Sequence, residues 1–213
     1  MLFVSLAVVL VPAVLGAYIC CPPRQWEGME ARVIGTGQKG GTLQISEAEV
    51  KVHFDATNKR MAFDEKLTID GSTANFKIIQ LWDKMTEYMI RQSGKCLRKH
   101  LTGPFPDGCI PDTATLSGPH FEGPVKNNVT YNSYRMANAA KGFTVNVDMT
   151  SDTCEPIRQE TYGLIGREYS LISTRYYDIV DGIKNDTVFN VPAACNNSYF
   201  MGGPASNIGS IFG

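Results

Sequence analysis

Two apolar runs, residues 76–82 and 85–90, are separated only by Asp83-Lys84. So short a polar break between runs of strand length reads as a tight turn joining antiparallel strands. On such a strand Ile79 and Leu81 point one way and Phe76, Ile78 and Trp82 the other, which marks a middle strand covered on two sides. A helix over the same residues would gather Lys77, Gln80, Lys84 and Glu87 on one stripe, and periodicity alone leaves that alternative open. The flanking segments favour the hairpin, because they are themselves hairpin-like and the second run leads into Cys96.

Val50, Val52 and Phe54 alternate with Glu49, Lys51, His53 and Asp55, which predicts a strand with one apolar and one solvated face. Thr57-Asn58 turns it back towards Met61 and Phe63. The same alternation runs through residues 25–34, through 130–136, and most plainly through Phe143, Val145, Val147 and Met149. A further strand is expected to lead out of Cys154. Residues 168–180, rich in β-branched and aromatic side chains, are long for one strand and predict a bend or bulge. Between Cys96 and Val125 glycine, proline and aspartate dominate, and that stretch reads as a long irregular excursion held at Cys96 and Cys109. Residues 35–41 are glycine-rich, but no Gly-Lys-Ser or Gly-x-Gly-x-x-Gly opens a helix there, so they read as a flexible turn. The expected fold is all-β: two antiparallel sheets stacked as a sandwich or half-open barrel.

The chain has 213 residues, enough for one substantial domain. Residues 2–15 are apolar, and Val14 and Gly16 stand where a signal peptidase reads. The run is shorter than the roughly 18 to 20 apolar residues that a membrane span needs. A signal peptide over 1–16, a β domain over 17–200 and a disordered, glycine-rich tail over 201–213 are expected, with no membrane span after cleavage. Glycosylation acceptors at Asn128, Asn185 and Asn196 agree with export, as do six cysteines, all beyond the leader.

Several function classes fall away. With 20 Lys and Arg against 21 Asp and Glu, spread without runs, there is no basic stripe for nucleic acid. His53, His100 and His120 sit in no metal-ligand spacing, and no Gly-x-Ser-x-Gly elbow occurs. All the cysteines can pair, which leaves no thiol nucleophile. An enzyme is not expected and no cofactor is required. No Asp-x-Asp-x-Asp-Gly loop is present for calcium; Asp148, Asp152 and Glu155 are a loose acidic group that reads as solvated surface.

Cys21-Pro-Pro-Arg-Gln-Trp26-Glu-Gly28, the strand end at residues 88–96, Cys154-Glu-Pro-Ile and the long block from Ser173 to Cys195 resemble the ependymin-related proteins, in order and over nearly the whole chain. The resemblance implies a secreted or lysosomal, glycosylated homodimer. It also implies two curved sheets around an apolar pocket, a fold similar to bacterial lipoprotein carriers. Calcium binding is known for some members, so the resemblance admits Ca2+ here as an optional ligand at no assigned residues. Where members carry Asp-Pro-Ser this chain has Asn185-Asp186-Thr187, and Cys20 and Cys109 are additional. Carried over by the Cys-x-x-x-x-Trp spacing, the resemblance implies bridges Cys21–Cys154 and Cys96–Cys195. Cys20 and Cys109 are then left to pair with each other, a Cys20–Cys21 bridge being the alternative.

The pocket the resemblance implies would be walled by Phe54, Phe63, Ile79, Leu81, Tyr88, Phe143, Val145, Leu171 and Tyr176, with no charged residue needed at its floor. Read without the resemblance, the same side chains simply fill a solid core. The expected function is non-catalytic binding of a hydrophobic small molecule, a lipid or fatty acid. The alternative is a calcium-dependent adhesion glycoprotein that contacts the extracellular matrix through its surface and glycans.

Overall fold

The computed structural model describes residues 18–37, 41–138, 142–165, 168–196, 198 and 200–204. The expected leader and the tail beyond residue 204 lie outside the described residues. The strands are β1 (Tyr18–Cys20), β2 (Gln25–Gly37), β3 (Gln44–Asp55), β4 (Arg60–Ile69), β5 (Ser72–Leu81), β6 (Thr86–Arg91) and β7 (Cys96–His100). They continue as β8 (Ile110–Pro111), β9 (Thr115–Glu122), β10 (Val129–Asn138), β11 (Phe143–Thr150), β12 (Pro156–Ile165), β13 (Glu168–Asp181) and β14 (Phe200–Pro204). Short 3₁₀ turns, Asp186–Phe189 and Ala193–Cys195, stand between the last two.

As expected, the described residues form two antiparallel sheets, one of them large and open. One 12-stranded sheet runs β14-β7-β6-β5-β4-β3-β2-β13-β12-β11-β10-β9, and a 2-stranded ribbon joins β1 to β8. The large sheet is antiparallel except where β14 lies parallel to β7. It consists of two local meanders, β2 to β7 and β9 to β13, fused where β2 pairs with β13. Tight turns close the first meander: Asp70-Gly71, with φ of 49° and 78°, fits a two-residue hairpin whose central residues both need positive φ.

One buried cluster draws on both meanders, from Val50, Val52 and Phe54 to Val145, Val147 and Met149. Strands spaced about 4.8 Å apart would hold those residues well apart in a flat sheet, so the sheet curls around its own inner face. One end of the curl is plugged by residues 101–114. Phe105 packs at 5.5 Å from Phe54 and 5.0 Å from Trp82, ring centre to ring centre, and Leu101 and Ile110 are fully buried.

The outer face of β4, β5 and β6 is also covered. Ala62, Ile79 and Leu81 pack against Phe189, with Tyr88, Ile90, Ile183, Val188 and Val191 around them. The expectation of a solvated face on β3 holds at Glu49 and Lys51, which are exposed, and is corrected at His53, 6.5 Å from the Phe189 ring, and Asp55, which are buried. His53 Nδ1 lies 3.0 Å from Glu27 Oε1, which also accepts from the Lys184 amide at 3.1 Å.

Three further expectations change. The stretch after Cys96 is more regular than its composition suggests, because β7 and β9 lie within it. Pro119 is tolerated there because β9 is an edge strand and needs no second partner for its backbone. Residues 201–204, expected in the disordered tail, belong to β14. The bridges are Cys20–Cys154, Cys21–Cys109 and Cys96–Cys195, so the partners of the adjacent cysteines are exchanged. Neighbours on an extended chain point to opposite sides. Cys20 is buried in the inner cluster beside Cys154, whereas Cys21 is exposed and turns to the 101–114 plug.

The expected irregularity in β13 is present. Its pairing with β2 shifts between Tyr177 and Val180, and Asp178 has φ of 54°. Gly28 lies opposite this bulge. A Cβ there would meet Ile179 at 3.2 Å and the Trp26 ring at 3.3 Å, which explains a glycine two residues after that tryptophan.

Candidate binding cavity

Successive residues of a strand face opposite sides, so parity assigns every side chain of the curled sheet. The inward set is Arg32, Ile34 and Thr36 on β2, Ser46 and Val50 on β3, Phe63, Glu65 and Leu67 on β4. Across the hairpin it continues with Phe76, Ile78 and Gln80 on β5, Glu87 and Met89 on β6, and Ile172 on β13. These residues line a cavity of about 370 Å³, within the roughly 300 to 1,000 Å³ typical of small-molecule sites.

Burial grades along the cavity. Gln44, which lines one end, is exposed, and Thr36 and Ser46 beside it are half-buried; Gln80 and Glu87, towards the other end, are 4% and 2% exposed. That deeper end adjoins Trp26, Phe54, Met61 and Trp82, which the 101–114 segment seals. The middle is apolar: Val50, Phe63, Leu67, Phe76, Ile78 and Met89.

Polar groups interrupt this wall, although the expected pocket needed no charged residue at its floor. Gln80 and Glu87 stand directly opposite each other, and Gln80 Nε2 donates to Glu87 Oε2 at 2.9 Å. Lys99 Nζ lies 3.8 Å from Glu87 Oε1. Arg32 Nη2 donates to Glu30 Oε2 at 2.6 Å, and Glu30 is 1% exposed. Burial pushes the Glu65 carboxyl above the usual range; Arg32 opposes this, but Glu30 and Glu87 add to it. Burial also works against the charge of Arg32, yet Glu30 and Glu65 hold its pKa above the ordinary value.

Of the residues expected to wall the pocket, Phe63 does so. Phe54, Val145 and Tyr176 belong to the inner cluster, with Phe143 packed against it. Ile79, Leu81 and Tyr88 have the other parity and pack beneath Phe189 on the outer face. Leu171, one residue before the cavity-lining Ile172, is 53% exposed and faces outwards. Around it Val33, Leu43, Ile45 and Tyr169 form an exposed apolar patch on the outside of β2, β3 and β13. Glu30, Arg32, Glu65, Gln80 and Glu87 were missed, although each shares its parity with inward apolar neighbours such as Ile34, Phe63 or Ile78.

Elsewhere, Asp148 accepts from Arg158 Nη2 at 2.6 Å and is committed to that pair. Among the described residues no group of three His, Cys, Asp or Glu side chains is placed to hold a metal ion. The acceptor asparagines Asn128, Asn185 and Asn196 are exposed, and Asn185 Oδ1 caps the first 3₁₀ turn by accepting from the Thr187 amide at 3.0 Å. No helix among the described residues is long and apolar enough to cross a membrane.

Comparison with known proteins agrees with the resemblance. The chain is 26% identical over 183 residues to mammalian ependymin-related protein 1 of Rattus norvegicus, covering 84% of this chain and 77% of the relative. It is 28% identical over 193 residues to ependymin-related protein 1 of Haliotis asinina, covering 86% and 93%. Among solved structures, a LolA-superfamily protein from Nitrosomonas europaea aligns over 81% of this chain and 93% of its own, at 13% identity and a TM-score of 0.35. The ependymin family model matches residues 70–195, a span that runs from β5 through β13 and on over the segment covering the outer face, and the chain therefore belongs to the ependymin family.

Proposed function

We propose that this protein is a secreted, non-catalytic glycoprotein that takes up a hydrophobic small molecule, a lipid or fatty acid, in the cavity inside its curled sheet. The observation that carries this reading is the apolar middle of the cavity, which opens towards half-buried Thr36 and Ser46 and closes against a sealed core. A solid core would have left no such space. Burying about 250 Å² of an acyl chain at about 25 cal/mol per Å² supplies about 6 kcal/mol, which corresponds to a dissociation constant of tens of micromolar. Three disulfides and family membership support an extracellular or lysosomal setting. The exposed asparagines at 128, 185 and 196 are the proposed glycan sites. The patch around Leu171 is the proposed homodimer contact, because a two-fold interface covers an apolar sheet face without new elements.

Solvent extraction of natively purified protein followed by mass spectrometry, with displacement of a neutral fluorescent probe, tests the reading. A stoichiometric lipid, or probe binding at micromolar concentration, is expected. A folded protein that carries no lipid and binds no probe, yet clusters vesicles or cells in calcium, overturns it in favour of adhesion.

A further inference from the structure

We infer that the ligand carries a hydrogen-bond-donating, cationic head, a primary ammonium on an apolar chain, received by Gln80, Glu87 and Glu65. This rests on the carrier reading above and names the class of molecule that the cavity prefers.

The first argument is hydrogen-bond valence. The Gln80 amide nitrogen is spent on Glu87 Oε2. The opposite amide orientation would press one oxygen against another, so the atom left over at Gln80 is its oxygen. Among the described residues no donor lies within hydrogen-bond distance of Gln80 Oε1 or of Glu87 Oε1. Lys99 Nζ, 3.8 Å from the latter, pairs with it by charge at more than hydrogen-bond length. Both side chains are more than nine-tenths buried and line the cavity. Its deep end thus offers acceptors that an incoming head must satisfy with N–H or O–H groups, or else leave buried and unpaired.

The second argument is charge. Glu65 and Glu87 line the cavity, and Glu65 lies within electrostatic reach of both Glu87 and the buried Glu30. Against them stand Arg32, already bonded to Glu30 at 2.6 Å, and Lys99, which pairs with Glu87 from the neighbouring strand β7. A carboxylate head seeking Arg32 would sit among like charges, whereas an ammonium meets opposite charges and three-fold donor geometry matched to the free acceptors. Apolar walls leading to a net acidic end with two unpartnered acceptors suit a single-chain amine better than a fatty acid.

A chain-matched series tests this on the full-length glycosylated protein at neutral pH. Dodecylamine, dodecanol and dodecanoate are each titrated, below their aggregation limits, against a bound neutral fluorescent probe. Dodecylamine is expected to displace the probe at a concentration at least tenfold below dodecanoate, with dodecanol between them. Glu65→Gln and Gln80→Met are each expected to cut that advantage at least threefold, read as the ratio of amine to dodecanol displacement within each variant so that a change in probe affinity cancels. Dodecanoate equal to or better than the amine overturns the inference and leaves the carrier reading standing. An amine advantage that survives both substitutions places the amine elsewhere and also overturns it. Failure of the probe and of all the chains to bind removes the carrier reading, and this inference with it.

Discussion

Arg60 holds its guanidinium carbon 4.1 Å from the centre of the Phe189 ring, while its Nε donates to Asp55 at 2.8 Å and its Nη2 to Asp186 at 2.7 Å. One side chain thus ties β4, the end of β3 and the segment that covers the outer face. The Asp186 contact is exposed and contributes little. The Asp55 contact is buried, and Arg60→Ala leaves that carboxylate with only Asn58 and Gln25 as partners. A loss of about 3 kcal/mol is expected from breaking such a pair, read as a lower denaturant midpoint and faster proteolysis within residues 183–195. An unchanged midpoint would show the network to be ornamental.

Asp55 and Glu65 shift in opposite directions, which gives opposite pH signatures. Burial pushes the Asp55 carboxyl up, but bonds from Asn58, Arg60 and Gln25 outweigh it and hold its pKa below the usual range. Its stabilisation is full above the ordinary carboxylate pKa and is lost as pH falls through the depressed native value. Glu65 has a raised native pKa, so its folded form binds more protons and stability falls as pH rises through that interval. Asp55→Asn should therefore destabilise most at neutral pH and converge with the parent in acid. Glu65→Gln should stabilise at neutral pH and converge in acid. Difference curves from urea midpoints across pH check both signs.

Parity separates uptake from folding. Met89→Trp puts bulk into the cavity and is expected to weaken probe binding at least tenfold with little change in stability. Leu81→Ala empties a place beneath Phe189 and is expected to cost about 3 kcal/mol, leaving probe affinity in the folded fraction unchanged. Reversal of the two outcomes in titration and melting experiments would mean that the cavity lies on the other face.

The outer patch makes a third separation. Leu171→Glu adds charge to a 53% exposed position on the apolar patch and should shift sedimentation from dimer towards monomer at micromolar concentration without changing uptake. Retention of the dimer would place the interface elsewhere.

The cysteine partners differ by one residue from the family-derived scheme, and thiol counting distinguishes them. The double variant Cys21→Ser/Cys109→Ser is expected to show no free thiol after unfolding, because Cys20–Cys154 and Cys96–Cys195 remain. Cys20→Ser/Cys109→Ser should expose two thiols if the bridges are as in the structure, and none if Cys21 pairs with Cys154.

How much of this was legible follows from period two. On β3 the alternation from Val50 to Phe54 is clean, and its inward face follows directly from the residues. In β13, Leu171 and Ile172 are adjacent and equally apolar, so composition gives no parity, and the bulge at Tyr177 to Val180 breaks the count from the more obvious Tyr176. The cavity's polar end was hidden differently. Glutamate on a strand reads as solvent-facing, and only its shared parity with Phe63 or Ile78 signals otherwise. His53 and Asp55 look solvated on β3 because the segment that buries them lies more than a hundred residues away in sequence. The edge strand β9 was concealed by Gly118-Pro119, which an edge tolerates and a central strand would not.

The joint between β2 and β13 fixes when this protein can become complete during its synthesis. Each meander folds from neighbours in sequence, which is fast, whereas the joint must await residues 168–181. Until they leave the ribosome, β2, 13 residues long, has no partner on one side and presents a row of unpaired backbone groups to any strand nearby. The nascent chain therefore spends most of its translation with an adhesive edge, and a chaperone that shields extended backbone, rather than one that only recognises exposed side chains, is the assistance this topology calls for.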